Sequence, residues 1–145
     1  MESKERSNRP SGLLLIDLVC HHIHKILDRE ARNRQMILLY RTGVYWTAFE
    51  RSAYRLEQCC GDASVFPMRI QGISHSVVIA SIEDDCLEAA LRSLETMQNE
   101  PSEKVFRMRD ELDETVYRRW HTRKSAFIEE AMQEIMIIRR PGFLA

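Results

Sequence analysis

The chain has 145 residues, 44% hydrophobic and 30% charged, with a formal net charge of −1 at pH 7. That balance excludes a disordered or fibrous chain and gives enough length for one ordinary domain with its own core. Near-zero net charge excludes a global pull toward nucleic acid or acidic lipid, so any such affinity must come from local patches.

The first ten residues, MESKERSNRP, are polar and are expected to be disordered. From Ser11, a candidate N-cap, to about Arg32 the positions Leu13, Ile16, Val19, Cys20, Ile23, Ile26 and Leu27 recur at three- and four-residue steps, which predicts a helix with one buried stripe. The longest early apolar run, Leu13 to Ile16, is far short of the ~20 residues needed to cross a bilayer, so no membrane partner is expected. Gln35 to Tyr40 is a short continuous apolar run, the pattern of a central strand covered on both faces. Gly43 ends it, and a helix is expected from Val44 to about Gln58, with Tyr45, Ala48, Phe49, Ala53 and Leu56 near one face and Gly61 as its C-terminal cap.

VFPMRIQGIS and HSVVIASIE read as two strands joined near Gly72 to His75. The next helix starts around Asp84, where carboxylates suit the positive end of its dipole, and turns Leu87, Ala90, Leu91 and Leu94 inward. QNEPSEK marks a boundary: Pro101 ends that helix and Ser102 caps another. From Ser102 to Ile138 the pattern predicts one amphipathic helix of roughly 55 Å, which either breaks near HTRKS or projects. The fold class is α+β with α/β-like layering: a small mixed sheet of three or slightly more strands, flanking helices and a long C-terminal helix. Residues 11–100 form the domain and 101–145 the helical segment.

The stretch LLYRTGVYWTAFERSA resembles the strand–Gly segment that opens the N-terminal mismatch-recognition domain of the DNA-repair protein MutS. Leu38, Leu39, Arg41, Gly43, Tyr45, Phe49 and Ala53 stand in matching places. Downstream, Pro67, Met68, Gly72, Ile73 and His75 follow the order of that family's Pro-Met…His segment, so the likeness covers roughly residues 36–76. It implies a MutS-N-terminal-like fold and contact with DNA, with Tyr45 stacking on a base as the wedge and Trp46 supporting it. Thr47 stands where the family has the glutamate that contacts the mispaired base, and Val44 replaces the preceding aspartate. No GxxxxGK[ST] sequence occurs, so neither a nucleotide nor an ATPase is expected.

The densest basic patch is VYRRWHTRK, where Arg118, Arg119 and Arg123 fall on neighbouring helical rows and would hold phosphates. Acidic residues flank it on both sides, so a solvated, ion-paired face is the competing reading. Trp120, Phe127, Ile135 and Ile138 belong to a C-terminal apolar surface that one short domain face does not bury, and they are the expected interface for a second copy or a protein partner. Cys20, His21, His22 and His24 cluster on one stretch of helix but supply too few ligands on one face for tetrahedral zinc, so no metal is expected and Cys20 is read as a core residue. The four cysteines form no CxxC pair, and no signal-peptide pattern precedes them, which points to reduced thiols in a cytoplasm. No catalytic motif and no cofactor loop is present, so a non-enzymatic module is expected, either touching DNA or serving as a self-associating assembly subunit.

Overall fold

The computed structural model describes residues 2–126, with side chains from Gly12 onward. In chain order the elements are α1 (Glu2–Ala31), β1 (Met36–Thr42), β2 (Tyr45–Phe49), α2 (Glu50–Cys59), β3 (Ser64–Met68), β4 (Val77–Glu83), α3 (Asp84–Ala90), β5 (Glu95–Asn99), β6 (Glu103–Arg107) and α4 (Glu114–Ala126). The six strands form one sheet in the order β3-β4-β2-β1-β6-β5. Every neighbouring pair is antiparallel, which corrects the expected mixed sheet of about three strands. Both edges are guarded against further pairing, by Pro67 within β3 and by a bulge between Thr96 and Gln98 in β5.

The opening apolar run does form a central strand. Leu38 and Tyr40 face one side of β1 with Val105, Phe49, Val77 and Ile79, and α1 covers that side with Val19, Ile23 and Ile26. Ile37 and Leu39 face the other with Trp46, Ala48, Val78, Ala80, Ile82 and Phe106, beneath α2, α3 and α4. A sheet buried on both faces explains why β1 and β4 read as unbroken apolar runs rather than as alternating ones.

Three expected helices are corrected: the one opened at Asp84 ends at Ala90 rather than at Pro101, since Glu95–Asn99 pairs with β6 as β5. The residues after Gly43 do not enter a helix directly. Thr42 pairs with Tyr45 across a two-residue turn, and Gly43 takes φ 72°, the positive value that the first central residue of a II′ hairpin requires. Aromatic and β-branched side chains fit a pleated surface, so Tyr45–Phe49 pairs as β2 and α2 begins only at Glu50. The long helix expected from Ser102 fails for a similar reason. Val105 and Phe106 alternate across β6, which pairs with β1 at the middle of the sheet, and Pro101 stands in the β5–β6 turn. The helix starts instead at Glu114, after Asp113 Oδ1 accepts the amide protons of Thr115 (3.0 Å) and Val116 (3.2 Å). At the other end of the chain, α1 already includes residues 2–10, the stretch expected to be disordered.

Helix α1 is longer than the sheet is wide. Its 30 residues span about 45 Å, against roughly 25–30 Å across six strands. No helix among the described residues is long and apolar enough to cross a membrane.

Because β2 is a strand, its neighbours Tyr45 and Trp46 point to opposite faces. Trp46 is fully buried, and its Nε1–H donates to Asp84 Oδ1 at 2.6 Å, while Arg41 lies 4.5 Å over its ring. Tyr45, at the hairpin end, is half-buried. Trp46→Ala should therefore cost about 3–5 kcal/mol in urea unfolding, and Tyr45→Ala less than half as much. Equal costs would mean the two rings share one environment.

Candidate functional site at the split in the sheet

β2 pairs with β4 as far as Phe49 opposite Ile79, and then the chain leaves the sheet. Its departure strands two backbone amides, that of Val78 on β4 and that of Leu38 on β1, which an extended β2 would have faced. Side chains of the departing segment replace the lost ladder. Glu50 Oε1 accepts the Val78 amide proton at 2.9 Å, and Ser52 Oγ accepts that of Leu38 at 2.9 Å. The turn that makes this possible places Glu50 at φ 52°, the only positive φ on a non-glycine residue among those described. A glutamate in that region is strained, and strain of this kind collects at functional sites and switch points.

Around these two anchors lies a buried polar plug. Glu30, at the end of α1 and only 1% exposed, accepts the Ser52 amide proton (2.9 Å) at Oε1 and the Ser52 hydroxyl proton (2.5 Å) at Oε2. Asn33 is oriented by the Met36 amide, which donates to its Oδ1 at 2.8 Å. Asn33 Nδ2 in turn donates to Ser52 Oγ (3.1 Å) and the Met36 carbonyl (2.8 Å), with a longer approach to Glu30 Oε1 (3.4 Å). On the α4 side, His121 Nε2 meets Glu50 Oε1 at 2.8 Å, and His75 Nε2, from the segment between β3 and β4, meets Glu50 Oε2 at 3.3 Å. Ser125 Oγ lies 3.4 Å from His121 Nδ1. Arg51 donates to Glu114 at 2.8 and 3.3 Å and to the Glu30 carbonyl at 3.2 Å, and stands 5.0 Å over the Tyr117 ring.

Burial pushes the Glu30 carboxyl up to about 7, although the Ser52 and Asn33 donors pull it the other way, and the nearby Glu50 adds to the rise. Burial likewise raises the Tyr117 phenol, which the Glu50 charge raises further. The hydrogen bond to Glu114 raises the Arg51 guanidinium, which stays charged beside the plug. Just past the end of α2, burial pushes the Cys60 thiol up to about 11.

The residues singled out in the sequence are not gathered here. Tyr45 lies at the other end of β2, roughly 16 Å away at about 3.3 Å per residue, on the face that α1 covers. Its ladder neighbour is Glu83, followed by exposed Asp84 and Asp85. Thr47 is fully buried, its hydroxyl 2.8 Å from that of Thr42 and 3.1 Å from that of Ser81. Arg118, Arg119 and Arg123 are exposed on α4, over the opposite face of the sheet. Trp120, expected at an interface, is instead part of this chain's own core: it packs on Tyr54 and Tyr117, and its Nε1–H donates to Glu57 at 2.6 Å. Phe127, Ile135 and Ile138 lie outside the described residues. Cys20, His21, His22 and His24 are all exposed on α1, which corrects Cys20 as a core residue. Among the described residues no group of three or more His, Cys, Asp or Glu is arranged to hold a metal ion.

Sequence reasoning missed Glu30 and Glu50, and it read His121 only as a ring available to stack beside the α4 arginines. Their roles come from partners tens of positions away, and no local spacing encodes that. His75 was noticed within the likeness to MutS.

Because glycine tolerates the φ of 52° at this position, Glu50→Gly should be more stable than Glu50→Ala by about 1 kcal/mol. Both should fall below the parent protein, because the Val78 amide loses its acceptor at a cost of about 1–3 kcal/mol. Urea titration of the three proteins measures this, and an alanine variant as stable as the glycine one would remove the strain argument. No protein-family model matches the chain, and no curated protein or solved structure is detectably similar to it.

Proposed function

We propose that the chain is a non-catalytic assembly module that self-associates through the overhanging end of α1. The observation that carries this is the run of exposed apolar side chains on that helix: Leu13 is 64% exposed, Leu14 42% and Ile16 55%. Ile16 lies two turns before Ile23 on the same helical stripe, yet Ile23 is only 5% exposed because the sheet lies beneath it. The core-facing stripe thus runs on past the edge of its own core. Apolar surface of that kind is a common mark of a protein contact, and a second copy is the most economical partner. The use of the titratable groups supports the non-catalytic part of this reading: both oxygens of Glu50 and both of Glu30 are already occupied by donors of the fold.

A second reading keeps the resemblance to the N-terminal domain of MutS and makes the module a DNA contact. What favours it is the β1–Gly43–β2 hairpin, with a half-buried Tyr45 beside its turn and the buried Trp46 anchoring the strand from the opposite face. The carboxylates of Glu83, Asp84 and Asp85 beside that end repel phosphates, and the arginines of α4 lie over the other face of the sheet, so this reading stands second.

Two measurements on the full chain separate them. Sedimentation should give a dimer or larger species for the parent and a monomer for the double variant Leu13→Asp, Ile16→Asp, with helix content preserved. A parent that stays monomeric at its highest soluble concentration would sink self-association. Binding to a labelled duplex, matched or carrying one mismatch, should show no steep loss with salt. Binding that falls steeply with salt and weakens in Tyr45→Ala would instead install the DNA reading.

A further inference from the structure

Helix α3 is only seven residues long and stops at Ala90, and the β5–β6 hairpin that follows lies at the edge of the sheet. Between them is a cavity of about 470 Å³, on the face of the sheet opposite α1. Its size falls within the range of roughly 300–1,000 Å³ typical of small-ligand sites. Leu87 on α3, Leu91 just after it and Phe106 on β6 close the floor, and all three are buried in the core. Arg92 and Asn99 stand exposed at the rim, and Lys104 reaches the cavity from β6.

Lys104 is placed where a charge needs a partner. Side chains alternate along a strand, so Lys104 shares a face with Phe106 and the buried cluster to which that ring belongs. Its neighbours across the ladder are Leu39 on β1 and Asn99 on β5. The side chain is half-buried, with Nζ 5.0 Å from the centre of the Trp46 ring. The Asp84 carboxylate near that ring is already engaged, accepting from Trp46 Nε1–H at 2.6 Å and from Arg41 at 3.3 Å. Among the described residues neither Lys104 nor Arg92 forms an ion pair. Two cations thus border one cavity without an anion between them.

We propose that this cavity binds a small monocarboxylate with an apolar or aromatic body. The carboxylate lies on Lys104 and Arg92, and the body rests on the floor of Leu87, Leu91 and Phe106. Charge-assisted hydrogen bonds to an ammonium and a guanidinium fix the anionic end, and the apolar floor selects a ligand with a hydrocarbon part over an inorganic ion. Glu88 also lines the cavity, and its charge counts against a dianion such as phosphate. Asn99, directly opposite Lys104, adds an amide that can donate to the ligand or accept from it. The site does not depend on association through α1, which covers the other face of the sheet.

Phenylacetate titrated into the full chain, followed by proton–nitrogen NMR, tests this. The two indoles provide a probe and a control. The Trp46 Nε1–H peak should shift saturably as Lys104 turns from the ring to the ligand. The Trp120 peak should stay in place, since that ring packs on Tyr54 and Tyr117. Backbone amides of residues 91–92 and 99–106 should shift with the same midpoint. Phenylacetamide, which lacks the charge, acetate, which lacks the apolar body, and phosphate should each bind about tenfold more weakly or worse. Phenylacetate should lose at least about tenfold in affinity for Lys104→Gln, as loss of a charged hydrogen bond implies. No saturable shift with phenylacetate would overturn the proposal, as would phenylacetamide or phosphate binding equally well. The comparison among ligands uses the parent protein, so it decides the matter even where the variant folds poorly.

Discussion

The rest of the structure depends on how the chain leaves the sheet after Phe49. A strand that ends in the middle of a sheet leaves backbone donors on both neighbours without partners, and each buried orphan costs about as much as a lost hydrogen bond. Glu50 and Ser52 resolve this by offering side-chain oxygens where backbone oxygens would have been. A carboxylate and a hydroxyl are thereby drawn into the interior, and these in turn need donors. Ser52 takes Asn33 and gives its proton to Glu30, and Glu50 takes two imidazoles. The polar plug is thus a consequence of topology. It joins helices on opposite faces of the sheet, α1 through Glu30 and α4 through His121.

That network leaves almost no buried side-chain polar atom without a partner. Among the described residues, Arg55 Nε is the one buried side-chain polar atom without a partner, and it belongs to α2 rather than to the plug. Glu30 and Glu50 meet donors of their own fold on both oxygens.

Much of the fold is legible in the sequence where a local pattern and a tertiary demand agree. MILLY and VVIAS are apolar enough to be covered on both faces, and they are β1 and β4. The segment around Gly72 is the connection between β3 and β4, and the carboxylates at Asp84 do open a helix. The misreadings share one cause. In YWTAF the aromatics at positions 45 and 49 satisfy a helical step of four as well as a strand step of two, and only the pairing of Thr42 with Tyr45 decides between them. ETMQN and EKVFR are each five residues long and largely polar, so the two strands on that side of the sheet carry almost no hydrophobic period. Their structure is imposed by β1, which would otherwise present an open edge. Glu50 was illegible for a deeper reason: its partners lie at Val78 and His121, and contacts that distant leave no spacing to read.

Helix α1 carries both features that the readings rest on. Glu30 sits in the plug near one end, and Ile16 stands exposed 14 positions earlier, about 21 Å along a continuous helix. Between them Val19, Ile23 and Ile26 clamp the helix to the sheet. That clamp keeps the overhang pointing in a fixed direction, so its apolar side chains are presented by a rigid element rather than by a tail. A surface that is already ordered loses little conformational entropy when it is covered, which favours association through it over association through a segment that must first be ordered.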